Sequence, residues 1–271
     1  MAGFIFEGKQ VYYEEHGAGE PVVVLNGIFM SCASWAAFVP SFEKKCRLIL
    51  LDLLDQGRTE KMDREFTQAL QVELVDALRV HLGYETWSIV GISYGGEVAL
   101  QYAAEHPSCV KKLVLSNTAP NTSDWLREIG HSWEFACDSH DGHQFFKTCI
   151  PVVYAPQFFN RNYAWASARE ELFVRAFSPA VYDAFSRLIR SAETHDVRES
   201  LKNITAETLV ISSEHDYVTP LYQQKEIVAG IKDAAHILIL DAGHAVMYEK
   251  PAEFTAAVLG FVTSDTKVRI L

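Results

Sequence analysis

Apolar residues along this chain follow two alternating patterns. Short continuous runs recur at Pro21-Val-Val-Val-Leu-Asn26, Cys46-Arg-Leu-Ile-Leu-Leu-Asp52, Thr86-Trp-Ser-Ile-Val-Gly91, Val110-Lys-Lys-Leu-Val-Leu-Ser116, Thr208-Leu-Val-Ile-Ser-Ser213 and His236-Ile-Leu-Ile-Leu240. Runs of that length without polar alternation predict strands buried on both faces, as in a parallel sheet. Between them the period lengthens. Residues 68–82 place Leu70, Leu74, Val75, Leu78 and Leu82 three or four apart, on one helical face. Helices are likewise expected over 94–105, 221–229 and 251–261, where Pro251 suits a first helical turn. Residues 4–6 and 11–13, separated by Glu7-Gly8-Lys9, predict an antiparallel hairpin at one edge. Strand alternating with helix predicts an α/β fold with a mostly parallel sheet.

One stretch breaks the alternation. From 121 to 203 no strand is evident, only helical patterns, and 14 of the chain's 32 aromatic residues fall there. The expected organisation is therefore a core of 1–120 and 204–271 with a helical insertion at 121–203. Aromatic rings dominate ordinary cores, so most of these are expected to pack the insertion itself and the remainder to line an apolar pocket.

Composition narrows the partners. At 271 residues, 49% hydrophobic and 22% charged, the chain has ordinary globular composition and sustains a core without disulfides or metal. A formal charge of −11 and no basic cluster argue against nucleic acid. The five cysteines, Cys32, Cys46, Cys109, Cys137 and Cys149, are odd in number and scattered, which fits a reducing cytoplasm. With no basic leader and no run of 18 apolar residues, neither export nor membrane insertion is expected.

The candidate chemistry begins at Gly91-Ile-Ser93-Tyr-Gly95, directly after an apolar run and before a helical one. A bare GxSxG arises by chance in roughly one chain of this length in ten, so the context carries the argument. A strand-to-helix turn tight enough to expose the serine oxygen leaves no room for side chains at the flanking glycines. The helix start also favours an anion there. A serine hydroxyl needs a base and a carboxylate behind it. His244 is the best-placed histidine, in Asp241-Ala-Gly-His244 after the last apolar run. The carboxylate is expected in Glu214-His-Asp216, with Asp216 preferred and Glu214 its rival as a turn residue; His215 is expected at solvent or as a cap. Cys137, His140 and His143 could suggest a metal site, but Asp138 and Gly142 favour a solvated turn, and no fitting fourth ligand follows.

Serine, acid and histidine in that order, each after a strand, resemble the α/β-hydrolase superfamily over nearly the whole chain. The resemblance makes residues 121–203 a cap and Ser93, Asp216 and His244 the catalytic triad. Asn26-Gly27-Ile28 resembles the family's His-Gly-x loop, with asparagine in place of histidine, and Ser31 to Phe42 resembles the helix that follows it. By that likeness the backbone N–H groups of Ile28 and Tyr94 form the oxyanion hole. Asp52-Leu-Leu-Asp-Gln-Gly-Arg-Thr59 resembles the DxxGxGxS turn, with Asp55 where the first glycine is usual. The implied activity is hydrolysis of a carboxylic ester, lactone or thioester of a small, largely apolar substrate through an acyl-enzyme, without metal or organic cofactor. A carbon–carbon bond hydrolase or acyltransferase would use the same residues, and a ligand sensor of this superfamily is the alternative outside catalysis.

Overall fold

The computed structural model describes residues 2–264. Eight strands form one sheet in the order β1-β2-β4-β3-β5-β6-β7-β8. They are β1 (Ala2–Phe6), β2 (Lys9–His16), β3 (Pro21–Leu25), β4 (Arg47–Leu51), β5 (Trp87–Ile92), β6 (Val110–Ser116), β7 (Glu207–Ser213) and β8 (Ala235–Ile239). Only β1–β2 and β2–β4 pair antiparallel; every later pairing is parallel. The first hairpin turns through Glu7 and Gly8, with φ of 50° and 73°. Positive φ at both central residues gives the tight turn whose twist matches its strands.

Crossover helices α2 (Gln68–His81), α3 (Tyr94–Glu105), α9 (Leu221–Gly230) and α11 (Pro251–Val262) occupy the predicted segments, while α1 (Val39–Phe42) and α10 (Val246–Glu249) are short. Successive strand residues point to opposite faces and both are buried. Val23, Leu25, Ile49, Leu51, Ile89 and Leu115 enter one apolar cluster, whereas Val22, Val24, Leu48, Leu50, Val90 and Ile92 enter the other. The continuous hydrophobic runs in sequence follow from this double burial.

Two local expectations change. The single helix expected over residues 31–42 is a 3₁₀ turn (Cys32–Trp35) followed by α1, with Pro40 near the start of the second piece. Proline lacks the N–H that would continue a helix from the first piece. The last strand is an edge, so it is not buried on both faces: Leu238 is exposed and only Ile239 is buried.

Between β6 and β7 lie five helices and no strand of the sheet: α4 (Asp124–Asp138), α5 (Gly142–Cys149), α6 (Pro156–Arg161), α7 (Tyr163–Ala176) and α8 (Pro179–Ser191). The stretch leaves and returns through a narrow neck. Asn121 bridges Asp196 antiparallel, Thr122 N–H donates to His195 O at 2.9 Å, and Val197 N–H to Pro120 O at 2.9 Å. Its interior is aromatic: Phe145 contacts Phe173, Phe177, Tyr182 and Phe185, and Phe29 from the β3 loop inserts against Trp133, Phe145 and Phe185. Among the described residues, no helix is long and apolar enough to cross a membrane.

Candidate active site

Ser93 sits between β5 and α3 with φ 52° and ψ −121°, a conformation held by the turn around it. Glycine is required on both sides. A Cβ at Gly91 would lie 2.7 Å from Gly95 O and from Gly96 Cα, and one at Gly95 would run into the Leu25 carbonyl. The serine backbone is pinned by Ser93 N–H to Ser116 O at 3.0 Å and by the Thr118 hydroxyl to Ser93 O at 2.8 Å. A residue strained to positive φ on a fixed turn presents its Oγ in one place, above the end of the sheet.

His244 arrives from the loop after β8, and its Nε2 is 2.9 Å from Ser93 Oγ. Its Nδ1 lies 3.0 Å from both carboxylate oxygens of Asp216. Asp216 is buried and accepts from Val218 N–H, Thr219 N–H, the Thr219 hydroxyl and Asn117 Nδ2, all at 2.8–2.9 Å. Burial alone would push this carboxyl up, but the His244 imidazole and the Asn117 and Thr219 hydrogen bonds outweigh it and hold the group below the ordinary carboxylate range. A fixed carboxylate facing Nδ1 makes that nitrogen the protonated one, which leaves the Nε2 lone pair for the serine hydroxyl.

Glu214 goes elsewhere. It is exposed and accepts from Asp241 N–H at 3.0 Å, bracing the turn on which the histidine loop begins. His215 is half-buried, and its N–H donates to Ala242 O in the same loop. Gly243, adjacent to the histidine, donates its N–H to Glu249 Oε1 at 3.0 Å, and Glu249 also accepts from Ala155 N–H in the helical stretch. Burial raises the Glu249 carboxyl despite those two donors.

Asn26, which stands where the His-Gly-x loop it resembles carries histidine, is fully buried. Trp35 Nε1 donates to its Oδ1 at 2.8 Å and its Nδ2 donates to Leu51 O at 2.9 Å, while Gln56 Nε2 holds Gly27 O at 2.9 Å. The loop is therefore fixed without an imidazole. Among the turn and loop hydrogen bonds of the described residues, none uses the N–H of Ile28 or Tyr94. The Tyr94 side chain points away, its hydroxyl 2.7 Å from Ser191 Oγ on α8.

Asp52 carries the next turn, accepting from Cys32 N–H and Arg58 N–H at 2.6 and 2.7 Å. Asp55, in the usual glycine position, adopts φ 65° and is buried. Its carboxylate accepts Met62 N–H and a two-pronged pair from Arg187 on α8, at 2.7 and 2.9 Å. Aspartate tolerates the left-handed region that glycine would fill and adds an anchor to the helical stretch.

Ser93 and His244 open onto a cavity of about 390 Å³. Its wall combines Ile28, Phe29 and Met30 with Trp133, Tyr154, Leu172, Phe173 and Phe177 from the helical stretch. The aromatic stretch thus does both things expected of it: Phe145 and Tyr182 are buried within it, and Phe173 and Phe177 face the cavity. A second, smaller pocket of about 50 Å³ meets Ser93 on another side, lined by Glu97, Leu126, Val218 and Thr219. The Cys137 cluster does not converge. Cys137 is buried, His140 Nε2 meets Asp183 and His143 Nδ1 meets Glu170.

The sequence profile described as the alpha/beta hydrolase fold matches residues 20–251. The chain belongs to this family. It is 42% identical to MGS-M2, an alpha/beta hydrolase enzyme from a Medee basin deep-sea metagenome library, with a TM-score of 0.96 and 99% of each chain covered. A putative carbamate hydrolase, RutD, of Azorhizobium caulinodans is 24% identical over 93% of this chain and 94% of that protein. A 2-hydroxy-6-oxo-6-(2'-aminophenyl)hexa-2,4-dienoic acid hydrolase of Metapseudomonas resinovorans is 27% identical over 94% of this chain and 88% of that one.

For an alpha/beta hydrolase, the side chains that sequence reading overlooked are those that hold the others. Asn117 follows β6 with φ 48° and reaches both Ser213 Oγ and Asp216. Its signal was available: a polar residue just past the carboxyl end of a parallel strand, where such sheets place their chemistry. Arg187 had no such signal.

Proposed function

We propose that this protein is a serine hydrolase that cleaves a carboxylic ester, lactone or thioester of a small, largely apolar substrate. The observation that carries the reading is the unbroken relay from Asp216 through His244 to Ser93, opening onto a mostly apolar cavity of about 390 Å³. A cavity of that size suits a small organic substrate.

In this reading Ser93 is the nucleophile, His244 the base and Asp216 the group that orients it. His244 Nε2 takes the Ser93 proton as Oγ bonds to the carbonyl carbon, and the carbonyl electron pair moves onto its oxygen. The Ile28 and Tyr94 N–H groups receive that oxyanion, each such donor contributing about 3 kcal/mol in related sites. His244 then returns the proton to the leaving oxygen or sulfur, and the carbon–leaving-group bond breaks. Water attacks the acyl-enzyme with His244 again as base, the acid departs, and Ser93 regains its proton. Residues 121–203 act as the cap that supplies the apolar half of the cavity, over a core of 1–120 and 204–271.

A second reading, hydrolysis of a carbon–carbon bond, has one point in its favour: the similar dienoic acid hydrolase. It uses the same three residues. The test is turnover of p-nitrophenyl esters by wild type and Ser93→Ala at neutral pH. The expected result is multiple turnover by wild type, falling by about a million-fold in the variant. Equal rates would overturn the assignment of Ser93. A single stoichiometric burst followed by silence would replace hydrolysis with ligand sensing.

A further inference from the structure

Among the described residues, no aspartate or glutamate lines the large cavity beside Ser93, and Arg169 is its only lysine or arginine. In a chain of formal charge −11 with 35 acidic residues, an arginine without a carboxylate needs a physical account. Three arginines further along the chain have theirs: Arg187 pairs with Asp55, Arg190 with Glu65 and Glu134, and Arg198 with Asp196. Among the described residues, the Arg169 guanidinium forms no ion pair and no hydrogen bond. The acids nearest in sequence are committed elsewhere, Glu170 to His143 and Lys147, Glu171 to Arg175.

Helix geometry places this charge deliberately against the cavity. Arg169, Leu172, Phe173 and Ala176 all line it, the spacing of one face of α7. Arginine interrupts an otherwise apolar stripe. Its Cζ lies 4.5 Å from the Trp165 ring centroid and 5.4 Å from that of Tyr248, so two aromatic walls fix the planar group and leave its N–H edges for another partner. A guanidinium held in that way is matched by a planar, bidentate acceptor.

We propose that Arg169 is the substrate-binding residue for a carboxylate, and that the natural substrate is an ester, lactone or thioester that also carries a free carboxylate group. This deepens the serine hydrolase reading and rests on it. The apolar wall takes the carbon chain between the anionic end and the carbonyl presented to Ser93. The cavity then selects acids from neutral esters of the same length, because only the former satisfies the Arg169 donors.

Two p-nitrophenyl esters of comparable size, neutral butyrate and the glutarate monoester with its free carboxylate, separate the possibilities. Wild type is expected to favour the glutarate monoester in kcat/KM. Arg169→Gln should raise KM for that ester about ten-fold and leave kinetics on the butyrate within about two-fold, with Arg169→Lys restoring part of the loss. An equal effect on both esters, or none on either, overturns the proposal while leaving the hydrolase reading intact. Calorimetric titration of monomethyl glutarate into Ser93→Ala, with and without Arg169→Gln, needs no turnover. Binding about ten-fold weaker in the double variant supports the carboxylate site even if neither ester is hydrolysed. Equal binding, or none to Ser93→Ala at the highest soluble concentration, overturns it.

Discussion

The two walls of the cavity are built on opposite principles. On the sheet side, Ser93, His244, Asp216, Asn117 and Thr219 form a chain of hydrogen bonds between 2.8 and 3.0 Å, each from a loop at the end of a strand or the turn into a helix. On the helical side the wall is made of rings, aliphatic side chains and one cation, and hydrogen bonds such as Arg187 to Asp55 and Ala155 N–H to Glu249 tie that side to the core. A polar network in a low-dielectric interior must be satisfied everywhere or it is costly, which demands the rigid sheet beneath it. Apolar walls tolerate substitution provided volume is kept. In the proposed hydrolase this separates reaction chemistry from substrate choice, and changes on the two walls should have different signatures.

The largest effect is expected on the sheet side. Asp216→Asn removes the carboxylate that fixes the protonated nitrogen of His244, and ester turnover should fall about 10,000-fold in kcat with KM little altered. Glu214→Gln, two residues away, should stay within about two-fold, since Glu214 is exposed and its carboxylate meets Asp241 N–H and its neighbour His215, not His244. Steady-state kinetics on one p-nitrophenyl ester decide between the two acids. A larger loss at Glu214 would reverse their roles.

The next effect belongs to the seam between the walls. Arg187→Leu leaves the Asp55 carboxylate buried without its cation, and urea unfolding should show a loss of about 3 kcal/mol. Asp55→Gly together with Arg187→Leu should recover most of it, because glycine suits the positive φ and no charge remains unpaired. If the single and double variants lose stability equally, the pair contributes nothing as a pair.

Legibility in the sequence followed the range of the physics involved. Burial on both faces of a parallel sheet writes continuous apolar runs, and the steric limits of the Ser93 turn write glycines at 91 and 95, so the sheet and the candidate nucleophile are local signals. Choosing Asp216 over Glu214 was not local. Both follow β7, and the carboxylate turned inward is the one met by Asn117 from the neighbouring strand end. The pair of Asp55 with Arg187 spans 132 positions, and nothing at either end marks the other. Arg169 was equally silent, since an arginine on an amphipathic helix is ordinary until a cavity forms beside it. The break within residues 31–42 was foreshadowed only by Pro40.

A smaller effect tests the boundary between network and cavity at Glu97, one turn beyond Ser93. Its Oε2 accepts from Gln68 Nε2 at 2.6 Å, and Gln101 Nε2 in turn serves both Gln68 and His195. Burial pushes the Glu97 carboxyl up to about 8, the Gln68 hydrogen bond opposing it in part. The folded protein therefore holds this proton more tightly than the unfolded chain, whose carboxyl titrates at its ordinary 4.5. Below that value both states are protonated and the stabilisation is complete. Between 4.5 and about 8 the folded state binds more protons than the unfolded one, so stability falls as pH rises, and above about 8 the loss is complete. At 1.36 kcal/mol per unit the window spans at most about 5 kcal/mol, and water entering the adjoining small pocket should reduce the measured change to about 2. Glu97→Gln keeps the shape and an acceptor for Gln68 but cannot ionise. Urea unfolding at pH 5 and pH 8.5 should show wild type losing stability relative to this variant as pH rises, the variants converging at the acid end. A difference that does not change with pH would mean that Glu97 is charged in the folded protein throughout, and that the polar network of the sheet side extends to the wall of the small pocket.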